Sequence, residues 1–226
     1  MSRAVRASVV ALALSLLSTA GRAQTCLGFP AFAAGPVNLT GSLRVGGRWW
    51  GTGAGANVGQ RAGPWFGGVG AGTVTFIDPP KETRLQYAVQ GGYEKHTRDG
   101  PIWCPNVVAQ YEQGLQVTDS LGRKWRTSGS VLGAGLGVSG ELQSRGANVF
   151  SVDPFATVSF ISVRTKVAGD STSSATETGA AFTVGLGFRF HDSIQITPTF
   201  SGATLTNADL VFDLRVSIAL QGRERK

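Results

Sequence analysis

The chain has 226 residues and a formal net charge of +7, and only 15% of its residues are charged. That share is below the roughly 25–35% suited to a surface that faces water. Three arginines near the N-terminus and a net two charges in the C-terminal RERK leave +2 on the body of the chain. A net charge this small is not typical of a nucleic-acid-binding protein, so we expect no nucleic-acid partner.

The N-terminus has the pattern of a secretory signal peptide. Two arginines precede the apolar segment 7–17, which is too short to cross a bilayer as a helix. Residues 21–23, GRA, resemble a cleavage site, so we expect residues 1–23 to be removed and the mature chain to begin at Gln24. An uncleaved membrane anchor is the alternative. No 18-residue apolar run follows the signal, which excludes a helical span.

The two cysteines are Cys26 and Cys104. In an exported chain an even number of cysteines suggests a disulfide, and we predict a Cys26–Cys104 bridge. It would pin residues 24–37, a lead-in rich in Pro, Gly and Ala that we expect in the periplasm. Two unpaired thiols are the alternative.

The following residues alternate between apolar and polar side chains, the period of a β-strand. We expect the first strand over 39–49, a turn at the glycine-rich 51–55, and a weak second strand over 54–61. Glycine obscures the faces of the third strand, 65–77. The Asp-Pro-Pro at 78–80 ends it.

Four further strands are expected in the middle of the chain, over 85–94, 107–117, 132–139 and 150–167. Between them lie polar loops at 96–105, which carries Trp103 and Cys104, and at 143–148. The Ser/Thr-rich segment 169–178 is expected to be the longest polar loop. The eighth strand is 181–191, described below, and a ninth is expected over 194–201.

The clearest alternation is in Ala181–His191 and Leu210–Leu220. In both segments one face is fully apolar and the other is small or polar. Both are about the 9–11 residues that a tilted strand needs to cross a bilayer. We therefore predict that their apolar side chains face lipid, namely Phe182, Val184, Leu186, Phe188, Phe190, Leu210, Phe212, Leu214, Val216, Ile218 and Leu220.

The count is about ten strands with no convincing helix, which predicts a closed antiparallel transmembrane β-barrel over 38–221 and a charged tail over 222–226. Eight strands are the alternative, since bacterial barrels have even numbers. If both termini are periplasmic, connections after even-numbered strands are periplasmic too. Ten strands then place Cys104 on the side of Cys26, as a bridge requires, and put 169–178 outside the cell.

A soluble exported β-barrel that binds a small apolar ligand would also alternate, with its apolar face inward. Three features favour a membrane barrel. The polar face is Gly, Thr, Ser, Gln and Arg rather than a mixture of Lys and Glu. The late strands are almost continuously apolar on one face. Trp49, Trp65, Trp125 and Phe190 lie near predicted strand ends, where aromatic girdles occur.

The strand GPWFGGVGAGT at 63–73, the strand FTVGLGFRF at 182–190 and the closing alternation through Leu220 carry a family resemblance. With its signal, the chain resembles small bacterial outer-membrane β-barrel proteins of the outer-membrane-protein β-barrel-domain type. The resemblance implies location in a Gram-negative outer membrane, contact with its lipid, and insertion by the barrel-assembly machinery. The charged C-terminus departs from the family, whose barrels often end on an aromatic residue.

The sequence offers little catalytic chemistry. His191 and Asp192 would point to opposite faces of a strand and are explained by a turn, and His96 lies in a loop with Asp99. Neither histidine accompanies a nucleophile elbow, so we predict no catalytic residue, although an outer-membrane lipid-modifying enzyme is an alternative. We also predict no cofactor and no metal site.

The charged side chains of the predicted inner face are more informative. They are Arg44, Arg48, Arg84, Glu94, Glu112, Arg189, Asp213 and Arg215. Because the first and last strands meet on closure, we expect Asp213 to pair with Arg44 or Arg48. A structural ion-pair network is the first interpretation, and a small pore with a preference for anions is the second. We expect a structural or surface-interaction role, with slow permeation of small solutes second; the sequence names no external ligand.

Overall fold

A computed structural model describes residues 37–59, 64–77, 82–97, 100–114, 117–118, 122, 124–140, 142–143, 150–169, 172–190, 193–206 and 208–220. The signal peptide, Cys26 and the C-terminal tail lie outside these residues. The predictions for them therefore stay predictions.

The described residues form thirteen strands. They are β1 Val37–Val45, β2 Trp49–Gly59, β3 Trp65–Phe76, β4 Thr83–Tyr93, β5 Lys95–His96, β6 Ile102–Gly114, β7 Val117–Thr118, β8 Lys124–Ser139, β9 Leu142–Gln143, β10 Phe150–Ala168, β11 Thr172–Phe190, β12 Ile194–Ala203 and β13 Val211–Leu220. The three two-residue strands, β5, β7 and β9, extend the connections. The other ten form the barrel wall.

Antiparallel pairing closes this wall. Each long strand pairs with the next along the chain, including β6 with β8 and β8 with β10. The first and last strands join over nine residue pairs, from Val37 opposite Leu220 to Val45 opposite Phe212. The predicted all-β, ten-stranded antiparallel barrel is thus confirmed, and the eight-stranded alternative is wrong.

In the described part of the chain, no helix is long and apolar enough to span a bilayer.

Side chains alternate between the two faces of the wall, as a pleated strand requires. On β1, Asn38 is fully buried inside the barrel, whereas Leu39 and Leu43 are each 46% exposed on its outside. Every predicted lipid-facing residue within β11 and β13 lies on the outer face in this register, and Leu210, just before β13, is exposed. The outside is therefore apolar and the inside polar, the reverse of a water-soluble protein.

The first turn lies elsewhere than predicted. It falls at residues 46–48, between β1 and β2, so Trp49 begins the second strand and residues 51–55 continue it. Gly51, Gly53 and Gly55 lie opposite the inward residues of β1 and face the lumen. These glycines were mistaken for a turn because they alternate along a strand with small outward residues.

Two predicted loops are strand in part. Residues 102–105 open β6, with Trp103 39% exposed outside and Cys104 fully buried inside. Residues 172–178 belong to β11, where hydroxyl side chains pair against β10. Strand pairing overrides the loop preference of polar residues there, because every residue of this segment pairs with one on β10.

We call the end of the barrel that holds Val37 and Leu220 the terminal end, and the opposite end the distal end. Strands β8, β10 and β11 are 16, 19 and 19 residues long and project at the distal end. Their outward side chains change from apolar to polar at one level, above Leu132 and Phe160. We call Lys124–Ser130, Ser162–Ala168 and Thr172–Thr178 the distal extension.

Candidate functional site: the barrel lumen

Glycine shapes one side of the lumen. The inward positions of β2 and β3 are mostly glycine, and Gly53 lies opposite Gly72. The two strands approach closely there, because a Cβ built on Gly72 would collide with the carbonyl oxygen of Thr52. The missing side chains leave a cavity of about 180 Å³ beside Arg44, Gln86 and Arg215. A buried water needs roughly 10–15 Å³, so the cavity accommodates several.

A chain of hydrogen bonds crosses this cavity. The Nη2 of Arg44 donates to Oε1 of Gln86 at 2.5 Å, and Gln86 in turn donates to Glu112. Gln110 donates to the same carboxylate oxygen at 2.8 Å. The wall strands β1, β4 and β6 are thereby linked through polar side chains. Hydrogen bonds to charged groups are among the stronger ones in proteins.

The expected closure ion pair forms differently. Asp213 lies directly opposite Arg44 in the β1–β13 register, but its carboxylate accepts from Nε of Arg215 at 2.7 Å. Arg215 lies two residues from Asp213 on the same strand and binds it. Arg44 instead donates to Gln86. Arg48, also predicted as a lumen charge, lies in the first turn, outside the paired strands, with an exposed side chain.

The distal end of the lumen holds a second charged group. Arg84 donates from Nε and Nη2 to Oε2 of Glu82, at 3.1 and 2.9 Å. The hydroxyl of Thr127 donates to the other Glu82 oxygen at 2.6 Å. The guanidinium of Arg84 also lies 4.6 Å from the ring centroid of Phe76, a cation–π contact. This group links β4 to β8 across the mouth.

The terminal end is more completely buried. Arg189 donates from Nε to the hydroxyl of Ser151 at 2.9 Å and lies 3.6 Å from Oδ2 of Asp153. The Asp153 side chain has no solvent exposure, and Arg189 is 4% exposed. Other fully buried polar residues at this end are Asn38, Gln195 and Thr197. Polar side chains therefore fill this end.

The structure brings most of the predicted inner charges together. Arg44, Arg84, Glu112, Arg189, Asp213 and Arg215 face the lumen. Glu94 follows β4 at the terminal end, where it is 4% exposed and its N–H donates to the carbonyl of Pro64 at 2.6 Å. The sequence interpretation missed Glu82, Gln86, Thr127, Asp153 and Gln195. Gln86 and Gln195 lie on strand faces that the sequence already marks as polar, so uncharged polar residues of these faces could have been included among the predicted lumen residues.

The predicted absence of catalysis and cofactors is untested. Across the described ranges, no group of three or more His, Cys, Asp or Glu side chains could hold a metal ion. The side chain of His96 and all of His191 lie outside the described residues. The described lumen offers ion pairs and amide hydrogen bonds, which serve to fill and brace an interior.

Cys104 lies inward at the terminal end, beside Phe66 and Ile102 in a small apolar cluster. No free cysteine is found among the described residues. Its predicted partner, Cys26, lies outside them, so the pairing stays a prediction.

No protein-family profile matches the sequence, and no curated protein matches it. Among solved structures, the β domain of the Bordetella autotransporter BrkA matches with a TM-score of 0.51 at 9% identity, over 81% of this chain and 98% of that one. The translocator domain of autotransporter NalP from Neisseria meningitidis matches with a TM-score of 0.47 at 9% identity, over 96% and 97%. The NanC porin matches with a TM-score of 0.35 at 11% identity, over 81% and 100%. The chain has the fold of bacterial outer-membrane β-barrel proteins.

Proposed function

We propose that this chain is an integral outer-membrane β-barrel, in contact with outer-membrane lipid and inserted by the barrel-assembly machinery. One observation carries the proposal: a continuous outer belt of exposed apolar side chains surrounds a closed wall with a polar interior. Val69, Val158 and Phe160 are each more than 60% exposed on that belt. Water would penalise such a surface, whereas lipid matches it.

Within the membrane we propose a structural or surface-interaction role. The terminal end, which would face the periplasm, is filled by Arg189, Asp153, Gln195 and their neighbours. Small barrels are stabilised by such inward side chains, while channels need more strands. The distal extension would then stand outside the cell, where longer segments of such barrels occur.

Fractionation of cells tests the location. We expect the full chain in the outer-membrane fraction, with a band that migrates faster on an SDS gel when unboiled, since a closed barrel resists the detergent. Recovery from the soluble periplasm without a heat shift would overturn the proposal. The soluble exported barrel that binds an apolar ligand would then replace it.

Slow permeation of small solutes is the second candidate. It is favoured by the cavity beside Arg44 and Arg215, where inward glycines leave space between charged side chains. The filled terminal end opposes it. Planar-bilayer recordings discriminate: a pore predicts a small conductance that Arg44→Ala alters, whereas a closed barrel leaves the bilayer silent in both forms.

We also propose the Cys26–Cys104 disulfide. Cys104 lies at the same end of the barrel as the start of β1. Cys26 precedes Val37 by eleven positions, and extended chain spans up to about 3.5 Å per residue, so the segment reaches Cys104. Mass spectrometry of tryptic peptides without reductant would show the linked pair. Cys26→Ser should abolish it, and two alkylated thiols in the untreated protein would contradict it.

We propose no catalytic role. A lipid-modifying enzyme would change the lipid profile of expressing cells and lose that effect in His96→Ala or His191→Ala. An unchanged lipid profile in cells expressing the wild-type chain is the outcome we expect.

A further inference from the structure

An apolar groove runs along the outer face of β4, β6, β8 and β10. Its floor includes the small outward residues Gly91, Ala109 and Ala134. Gly91 and Ala134 both lie opposite Val107 in the pairing register, and Ala109 lies diagonally from each of them. Larger outward side chains border it, including Leu132 and Phe160, at 63% and 65% exposure. The open groove measures about 640 Å³, the size of a small-ligand pocket.

Basic side chains lie next to the end of the groove that is nearer the distal extension. Arg164 and Lys166 follow Phe160 on the outward face of β10, and Arg126 stands on the neighbouring strand β8. All three side chains are exposed. Arg126 lies diagonally across from Lys166, a relation that places Cα atoms about 7–8 Å apart. We call Arg126, Arg164 and Lys166 the basic patch.

Hydroxyl groups flank the basic patch on both neighbouring strands. Ser130 and Ser128 lie opposite Arg164 and Lys166 on β8. Thr176 and Ser174 lie opposite the same two residues on β11. Arg and Lys side chains bind phosphate oxygens through charge-assisted hydrogen bonds, and neighbouring hydroxyl groups can donate to the same oxygens.

Within the described part of the chain, the basic patch has no carboxylate partner. Among the described residues, the outward face of the distal extension carries no Asp or Glu, and no ion pair involves these three cations. Glu177 faces the other way, since it lies opposite the inward Val163. The charge is therefore available to an external anion.

We propose that the groove and the basic patch form one binding site for an acylated lipid with a net-anionic, phosphate-bearing head group, drawn from the outer leaflet. The site rests on the proposed function, because only a membrane orientation places the groove among acyl chains. An acyl chain lies in the groove over Ala109 and Ala134, and the phosphate meets Arg164, Lys166 and Arg126. Tyr111, opposite Ser130 at the junction, stands where tyrosines line membrane interfaces.

Native mass spectrometry of the full chain in detergent tests the site. The probes are lipid A with two phosphates, the same lipid with one phosphate, and phosphatidylcholine. We expect retention in that order. The triple variant Arg126→Gln, Arg164→Gln, Lys166→Gln should lower retention of the bis-phosphorylated lipid at least about tenfold, because it removes charge-assisted hydrogen bonds. It should leave phosphatidylcholine unchanged.

Ala134→Phe tests the groove separately, since it fills the floor and leaves the charges intact. Retention of lipid A should fall, while Ala54→Phe, an outward residue on the far wall, should have no effect. Lys95→Gln, at the terminal end, is the matched control for charge. Inositol hexaphosphate, which has no acyl chain, should compete weakly.

Two results would overturn the site: wild-type retention in the triple variant, or equal binding of inositol hexaphosphate and lipid A. Heat-shift gels on the same samples keep this outcome apart from failure of the proposed function. If the protein is in the membrane and shows the heat shift, but the triple variant retains lipid like the wild type, only the binding site is disproved. If the protein is soluble and shows no heat shift, the membrane location is disproved as well.

Discussion

The two ends of the lumen use the same kinds of side chain under different conditions. At the terminal end the Arg189 and Asp153 side chains are 5% and 0% exposed. At the distal end the Arg84 and Glu82 side chains are 21% and 6% exposed, and further in Arg215 is 24% exposed. The chemistry is alike, but the arginine at the terminal end is much less exposed than those further along the lumen.

This difference should separate the energetics of the two ends. A charge left alone in a buried site costs its full desolvation energy, whereas water rescues one that retains partial exposure. The terminal end should therefore act as a rigid closure. The middle and distal lumen should tolerate change, because the glycine-lined cavity leaves room for water.

The largest expected effect is at the terminal end. Arg189→Leu removes the guanidinium that lies 3.6 Å from the buried Asp153 carboxylate, and the barrel should lose about 3–5 kcal/mol of unfolding free energy. Urea titration followed by loss of the fast-migrating band measures it. The double variant Arg189→Leu, Asp153→Leu should recover much of the loss. An undiminished single variant would show that water reaches this end.

A second test concerns the close approach of β2 and β3. Gly72→Ala places a methyl group against the carbonyl oxygen of Thr52, which is backbone and cannot rotate away. We expect a loss of about 1–3 kcal/mol by overpacking. Gly41→Ala is the control, because nothing lies within 4 Å of its added Cβ. Equal stability of the two variants would argue against this close packing.

A smaller effect is expected in the middle of the lumen. Arg215→Ala removes one hydrogen bond to Asp213 at a position that is 24% exposed, so we expect about 1 kcal/mol in the same urea assay. A loss as large as that of Arg189→Leu would erase the distinction between the two ends.

The smallest effect lies outside the lumen, in the distal extension. The backbone N–H and then the hydroxyl of Thr206 donate to Glu177 and lower the pKa of its carboxyl below the usual 4.5. The contact is therefore present above that value and is lost as the pH falls through the lowered pKa. The Thr206 amide NMR signal should report this transition. Glu177→Gln should abolish the titration, and a wild-type midpoint at or above 4.5 would contradict it.

Sequence periodicity predicted the barrel because a period of two assigns each side chain to a face without knowledge of its neighbours. It failed at 51–55, where inward glycines carry no polarity to mark their face. It also failed at 172–178, since a polar strand beyond the membrane resembles a loop. The strand count nevertheless survived, because each error shifted a boundary without removing a strand.

The lumen contacts were harder to predict than the faces. Glu82 accepts from Thr127, 45 positions away on a strand that is not its neighbour, so strand order alone does not pair them. Asp153 was missed because the faces of β10 looked mixed. Arg44 was expected to meet Asp213 and instead reaches Gln86, a choice that depends on side-chain length and competing partners rather than register.

The seam between β1 and β13 sets the order of folding. Val37 pairs with Leu220, 183 positions further along the chain, whereas Val45 and Trp50 meet across a tight turn. Hairpins of the second kind can form as the chain emerges, but the seam must wait for the last strand, and contacts so distant in sequence slow folding. Until it forms, two unpaired strand edges stand open to other chains. The interval before closure is thus when the protein is most exposed to aggregation and most in need of a chaperone.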